Sequence, residues 1–347
     1  MTDTSETSAL EPAEYLRRLF DDVELSYLVV VAARLGVADL LVSGPRSVAD
    51  LAAATGVDAQ PLFRVLRALA SRELFRDDGN KGFSLTPAAE PLRRDDPHSV
   101  RPQALWSGSE EYRRAWGDLE FSVRSGRPAF DHVFGKPFFA HLAEDRAFAK
   151  IFSDVMTSDS SDDGAAIAAA HDFSGYRRIV DVGGGHGALL SAVLDRDPGP
   201  LGVLFDLPNV VATAGGAIDR HEAAGRVEKV AGDFAESVPP GGDAYLLKWI
   251  VHDWDDDAAI RILRNCRTAM APGGRVLLVE VVVPQGSAGS AATGLDTTML
   301  VFTGSRERTE REYRELLHRA GLTLLRVTPT ASRFSLLETT SSQGRQD

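Results

Sequence analysis

Residues 179–188 read Ile-Val-Asp-Val-Gly-Gly-Gly-His-Gly-Ala, and no other segment restricts the fold as tightly. A short β-branched run ends at Asp181, glycines follow at 183, 184, 185 and 187, and a helix-forming stretch comes next. The pattern predicts a buried parallel strand, a turn through positive φ, and a helix whose first turn offers free backbone N–H groups. Glycine lacks a Cβ, so the main chain of such a turn lies close against a ligand. Turns of this kind bind dinucleotides and S-adenosylmethionine alike. Gly183, Gly185 and Ala188 satisfy the G-x-G-x-x-A fingerprint, so the motif alone leaves the cofactor open.

From residue 177 onward the pattern alternates. Strands are expected at 178–183, 201–206, 227–231, 243–249, 274–282, 322–327 and 333–338, and helices at 187–196, 208–221, 255–270 and 309–320. Such alternation predicts a mostly parallel sheet with helices on both faces. Only Pro329 to Arg333 separate the last two strands, too few for a crossover, so these must pair antiparallel. Seven strands with a closing hairpin outline the class I methyltransferase sheet.

Residues 12–172 are nearly all helical in pattern. Leu16, Leu19, Val23, Leu28, Val31 and Leu35 recur at helical spacing, with Gly36 as a stop. Ser47 caps a short helix, a second helix runs from Gln60 to Ser71, and a hairpin follows about Asp78-Gly79. Helix, turn, helix and hairpin make a winged-helix arrangement, which raises DNA binding. Yet residues 46–94 hold eight basic and six acidic side chains, and the second helix offers only Arg64, Arg67 and Arg72. A reader of phosphates shows a clear basic stripe. Packing or dimerisation is the preferred role, and the net charge of −12 also argues against a nucleic-acid or membrane partner. Residues 1–11 lack the basic start and apolar core of a signal peptide and read as a disordered tail. No apolar run approaches the ~18 residues of a membrane span. A single cysteine, Cys266, excludes an intrachain disulfide and fits a reducing cytoplasm.

Ligands of open α/β sheets bind at the carboxyl ends of the strands. Those ends here carry the glycines, Asp206, Asp233-Phe234, Lys248 with His252-Asp253, and Glu280. Asp206 stands where an acceptor for ribose hydroxyls belongs, in the turn Asp206-Leu207-Pro208. Asp233 and Phe234 suit an adenine amino group and base face. His252 is the candidate general base, because neutral imidazole takes a proton near neutral pH. Phenols ionise near ~10 and attack poorly while protonated. Glu280 is expected to hydrogen-bond the second imidazole nitrogen. No metal is expected: Asp253, Asp255 and Asp257 alternate as in an EF-hand, but Ala258 and Arg264 stand where that loop needs Gly and Glu.

Together these residues give a close resemblance to the plant caffeate- and acetylserotonin-type O-methyltransferase family, including bacterial members from aromatic natural-product pathways. The resemblance spans roughly residues 14–340. It rests on DVGGGHG at 181–187, FDLP at 205–208, GDF at 232–234, KWIVHDWDD at 248–256, PGG at 272–274 and ERTEREY at 307–313. It implies an α/β class I methyltransferase fold, a seven-stranded Rossmann-like sheet with an N-terminal all-helical, winged-helix-like dimerisation domain. The expected division is 1–11 tail, 12–172 dimerisation domain and 173–347 S-adenosylmethionine-binding domain.

By resemblance, Gly183, Asp206, Asp233, Phe234 and Lys248 contact the cofactor, with Gly185 and Leu207 in the same turns. His252 is the family's base, and Glu280 and Glu307 are the carboxylates flanking it. Met156 and Met299 match methionines that clamp an aromatic acceptor; Phe302, Trp106 and Phe152 belong to the same pocket, as does Asp253 beside the base. Asp159 replaces a histidine of plant members, which points away from a phenylpropanoid acceptor. The implied enzyme is a cytoplasmic homodimer that methylates a phenolic hydroxyl of an aromatic, polyketide-like intermediate and releases S-adenosylhomocysteine. Alternatives are a member that hydroxylates, decarboxylates or methylates carbon or nitrogen, a cofactor-sensing winged-helix regulator, and an NAD-dependent oxidoreductase. The retained His252–Glu280 pair favours methyl transfer.

Overall fold

A computed structural model of the chain describes residues 11–284 and 291–342, without the side chains of residues 157, 159–162 and 291. The chain divides into two compact units, Met1–Arg113 and Arg114–Asp347. The tail expected at 1–11 lies outside the described residues apart from Glu11.

The first unit opens with a helix, Pro12–Leu35, which stops at Gly36 in the left-handed conformation. Ser47 accepts the Asp50 N–H and caps Val48–Thr55, while Asp58 accepts the Gln60 N–H and caps Ala59–Ala70. Strands β1 (Phe75–Asp77) and β2 (Phe83–Leu85) form the expected antiparallel hairpin. Two arginines of the would-be DNA-reading segment are engaged within this unit. The Arg67 guanidinium lies over the Phe63 ring, and Arg72 pairs with Asp22. Tyr15, Leu16, Leu19, Phe20 and Val23 of the first helix stand exposed.

The second unit is built on a seven-stranded sheet ordered β10-β11-β7-β6-β3-β4-β5. These are β3 (Arg178–Val182), β4 (Leu201–Asp206), β5 (Val227–Ala231), β6 (Ala244–Lys248), β7 (Arg275–Glu280), β10 (Leu322–Pro329) and β11 (Ser335–Ser341). The pairs β10/β11 and β11/β7 are antiparallel and the rest parallel. After β5 the chain returns to the other side of β3, so the order reverses between β3 and β6. Such a reversal opens a crevice at the carboxyl ends of both strands.

Alternate strand residues bury opposite faces. Val180, Val182, Leu247 and Leu278 pack with Ile260, Leu263 and Cys266 of the helix Asp256–Ala269 and with Tyr313 and Leu317 of Glu310–Arg319. Ile179, Leu204, Leu246 and Val279 pack with Leu190 and Val193 of Ala188–Arg196. Each fully buried side chain of this kind contributes about 1.5–3 kcal/mol of transfer free energy. Cys266 lies wholly in the core, where burial pushes its thiol up to about 12.

Several elements differ from the sequence reading. The helix expected at 208–221 divides into Pro208–Val211 and Ala217–Ala223, because Gly216 takes positive φ between them. The strand expected at 274–282 divides into β7 and a short β8 (Val282–Val283), which pairs in parallel with β9 (Arg308–Thr309). The helix Ala291–Phe302 was not expected. The division expected at residue 172 also differs from the compact units. Helix Arg146–Ala169 groups with the second unit because it packs on Ala188–Arg196, where a Cβ on Gly164 would already stand 3.3 Å from the Ala192 Cβ.

Candidate active site

The cofactor side begins where β3 ends. The Gly183 N–H donates to the Phe205 carbonyl at 2.8 Å, which turns the chain over the end of β4. Gly183 has φ +68°, where a side chain is strained, and a Cβ there would stand 2.4 Å from Ile250 Cδ1. Gly185 has φ +58°, and its missing Cβ would point into open space. Asp206 is buried at the end of β4. Its carboxylate accepts the Gly185 N–H at 2.8 Å and the Leu207 N–H at 2.7 Å. Burial pushes its pKa up while these two N–H groups pull it back. An open glycine turn beside a buried, backbone-oriented carboxylate fits a ligand bearing adjacent hydroxyls, as a ribose does.

Beneath the loop, Asp181 is buried with one oxygen lacking a hydrogen-bond partner. Burial and the nearby Asp206 push its carboxyl up to about 7, against the pull of Lys248. Asp233 accepts the Ala235 N–H at 2.7 Å, and the Phe234 ring stands edge-on to Trp254 at 5.9 Å. Lys248 ends β6 with its ammonium over the Trp249 and Phe334 rings. These residues ring the crevice between β3 and β6 and the adjoining ends of β4 and β5.

The other half of the site follows β6. Trp249 takes φ +54°, an uncommon conformation for a large side chain, and turns the chain out of the sheet. A single 3₁₀ turn, Val251–Asp253, then presents His252. The Trp249 and His252 rings are nearly parallel, 5.6 Å apart. His252 is buried, and its Nδ1 lies 2.7 Å from Glu307 Oε1. Nε2 is 3.4 Å from Asp253 Oδ1. Burial alone would lower the imidazole pKa. Asp253, the Glu307 hydrogen bond and Glu280 outweigh it and raise the group to about 9.

Here one expectation is corrected. Glu280 does not take the second imidazole nitrogen; Glu307 does. Glu280 is fully buried, and its Oε1 accepts the Val251 N–H at 2.9 Å, so it holds the turn rather than the ring. Its Oε2 has no hydrogen-bond partner, nor has Glu307 Oε2, and burial pushes the Glu280 carboxyl up to about 8. Glu307 reaches the imidazole because the β8/β9 ladder sets Val282 opposite Arg308 and so brings the two segments side by side.

The residues expected at the acceptor are spread over three places. Met156 lies half-buried on Arg146–Ala169, and Met299 and Phe302 are buried on Ala291–Phe302. Phe302 packs on Phe130 and Phe138, and Phe138 packs on Phe152, so rings line this part of the second unit. Trp106 belongs to the first unit, where it meets Tyr112 edge-on. The side chain of Asp159 lies outside the described residues. Sequence reasoning assigned no role to Arg308, Asp181 or Tyr313. Arg308 adjoins Glu307 in ERTEREY, and that adjacency was the available signal.

Residues 116–323 match a family described as an O-methyltransferase domain, and residues 18–95 match an O-methyltransferase dimerisation domain. The phenazine O-methyltransferase PhzM of Lysobacter antibioticus is 39% identical over 97% of this chain and 99% of its own. The phenazine-1-carboxylate N-methyltransferase of Pseudomonas aeruginosa is 36% identical over 87% of this chain and 89% of its own. A crystal structure of an O-methyltransferase from neocarzinostatin biosynthesis, in complex with S-adenosylmethionine and 2-hydroxy-5-methyl naphthoic acid, superposes with a TM-score of 0.80. It is 35% identical and covers 91% of this chain and 95% of that one. The chain belongs to the O-methyltransferase family of bacterial natural-product pathways, class I enzymes that carry an N-terminal dimerisation domain and use S-adenosylmethionine.

Proposed function

We propose that this enzyme methylates a phenolic oxygen of a flat aromatic natural-product intermediate, with His252 as the general base. The observation that carries the reading is the buried His252–Glu307 pair at 2.7 Å beside the β3/β6 crevice. S-adenosylmethionine, when bound, supplies an electrophilic methyl group on a positively charged sulfur. Gly183, Gly185, Asp206 and Leu207 would hold its ribose side, Asp233 and Phe234 its adenine, and Lys248 the far end of the crevice. Glu307 fixes the imidazole tautomer, leaving Nε2 to take the phenolic proton as the oxygen attacks. The growing imidazolium is stabilised by Glu307 and Asp253. Holding the reactants close and aligned supplies much of the remaining acceleration. Met156, Met299 and Phe302 would grip the acceptor ring. Two chains would associate through the exposed apolar residues of helix Pro12–Leu35.

A second reading is methyl transfer to nitrogen, favoured by the similarity to the phenazine-1-carboxylate N-methyltransferase. A ring nitrogen carries no proton to lose, so the two readings part at His252. Mass spectrometry of products from labelled methyl donor with hydroxylated naphthoates and phenazine carboxylates identifies the methylated atom. His252→Ala is expected to lose about 100-fold or more in kcat on a phenol, the range of general-base catalysis, while keeping affinity for S-adenosylhomocysteine. Full activity of that variant on a protonated phenol ends the base assignment.

A further inference from the structure

We infer that Arg308 is a positioning residue for His252, its guanidinium clipping the main chain on both sides of the imidazole to the segment that carries Glu307. The inference rests on the base role proposed above. Arg308 is 1% exposed, the largest side chain so deeply buried among the described residues. Its Nη1 donates to the Val251 carbonyl at 2.9 Å and its Nη2 to the Trp254 carbonyl at 2.9 Å. Nε and Nη2 also donate to Asp256 Oδ1, at 3.2 and 2.8 Å. Thus the residues just before His252 and just after Asp253 hang from one planar group.

The turn needs such a hold. It is three residues long, and its own backbone bonds are stretched: Asp253 N–H to Ile250 at 3.2 Å and Trp254 N–H to Val251 at 3.4 Å. Short 3₁₀ segments of this kind are weakly held from within. Glu280 secures the Val251 N–H, and Arg308 secures the carbonyls. Because Glu307 directly precedes Arg308, the first residue of β9, the group that grips the ring and the group that grips its backbone are adjacent along the chain. The buried charge is balanced by Asp256, which Arg306 and Arg319 hold from outside. Lysine cannot replace the fork, since a single ammonium lacks the geometry to serve two carbonyls and a carboxylate at once. A 1 Å displacement of a reacting group costs on the order of 100-fold in rate.

The test is Arg308→Lys in the full-length enzyme, assayed with a hydroxynaphthoate and with its ring-nitrated analogue, whose hydroxyl is already ionised at pH 8. If Arg308 acts through His252, turnover of the hydroxynaphthoate falls about 100-fold while that of the nitrated analogue falls less than about threefold. Affinity for S-adenosylhomocysteine stays within about twofold, and adding the change to His252→Ala lowers the rate no further. Independently of any acceptor, the downfield imidazole proton shared with Glu307 shifts or vanishes in the NMR spectrum. Equal losses on both acceptors, a further loss in the double variant, or an unmoved imidazole proton overturn the inference. Should Arg308→Lys not fold, Asp256→Asn weakens the same anchor and is expected to give a smaller loss with the same selectivity; an unselective loss counts against the clip. An inactive His252→Ala with a fully active Arg308→Lys overturns this inference alone. A fully active His252→Ala overturns the base reading beneath it.

Discussion

Replacing Glu307 by Gln tests the electrostatics of the base directly. The substitution keeps the shape but removes the carboxylate that meets His252 Nδ1 at 2.7 Å in a buried setting. A hydrogen bond to a charged group is worth about 1.5–3 kcal/mol, and 1.36 kcal/mol corresponds to one pKa unit. The imidazole, raised to about 9 in the intact site, should therefore fall by about one to two units in the variant. The sign follows from the causes: burial lowers this group, so removing a partner that raises it lets burial gain. In the intact enzyme only about one imidazole in a hundred is neutral at pH 7, and kcat should climb about tenfold per pH unit before levelling near pH 9. In Glu307→Gln the climb should level about one to two units earlier. Its plateau should be about 10–100-fold lower, because the imidazolium of the transition state has lost its partner. The deficit is thus greatest above pH 9 and shrinks toward neutrality. Stopped assays with labelled donor across pH 6–10 give the profile. Repeating them with an acceptor of different acidity separates the enzyme's limb from the phenol's own ionisation. A limb that stays in place in the variant, or follows the acceptor, refutes the assignment.

Three further outcomes are expected. Asp206→Asn should weaken S-adenosylhomocysteine binding by about 10–100-fold in calorimetry, from the charged hydrogen bonds it removes, with kcat at saturating donor little changed. Glu280→Gln should retain kcat within about threefold at pH 7, because an amide oxygen still accepts the Val251 N–H that holds the turn; a 100-fold loss would show that its charge is required. Leu16→Asp with Phe20→Asp should give a monomer by light scattering, since both residues stand exposed on the first helix, and an unchanged dimer would place the interface elsewhere.

The parallel core of the sheet was readable because β3, β4, β6 and β7 are largely apolar runs closed by a polar or glycine residue. The antiparallel ending followed from the five residues 329–333 alone. Helix Ala291–Phe302 was missed because Ala-Ala-Thr-Gly-Leu-Asp-Thr-Thr-Met-Leu-Val-Phe carries no clear polar face. The break at Gly216 lies inside a run that otherwise reads as helix. The wrong partner for His252 has a specific origin. Glu280 ends the strand beside β6 and so seemed the natural contact, whereas Glu307 arrives through a two-residue parallel ladder too short to leave a period in the sequence. Arg308 was invisible for a related reason: nothing in a string of letters tells an arginine that faces water from one buried among carbonyls.

The carboxylate of Asp206, pinned by two main-chain N–H groups, has a consequence for how the enzyme finishes a cycle. The ribose and adenine that Asp206, Asp233 and Phe234 would grip are identical before and after the methyl group leaves. A rigid cradle for those parts therefore welcomes fresh and spent nucleoside equally, and only the vanished charge on sulfur tells them apart. Accumulating S-adenosylhomocysteine would then compete with fresh donor for the cradle, and cellular hydrolysis of that by-product would act as the throttle.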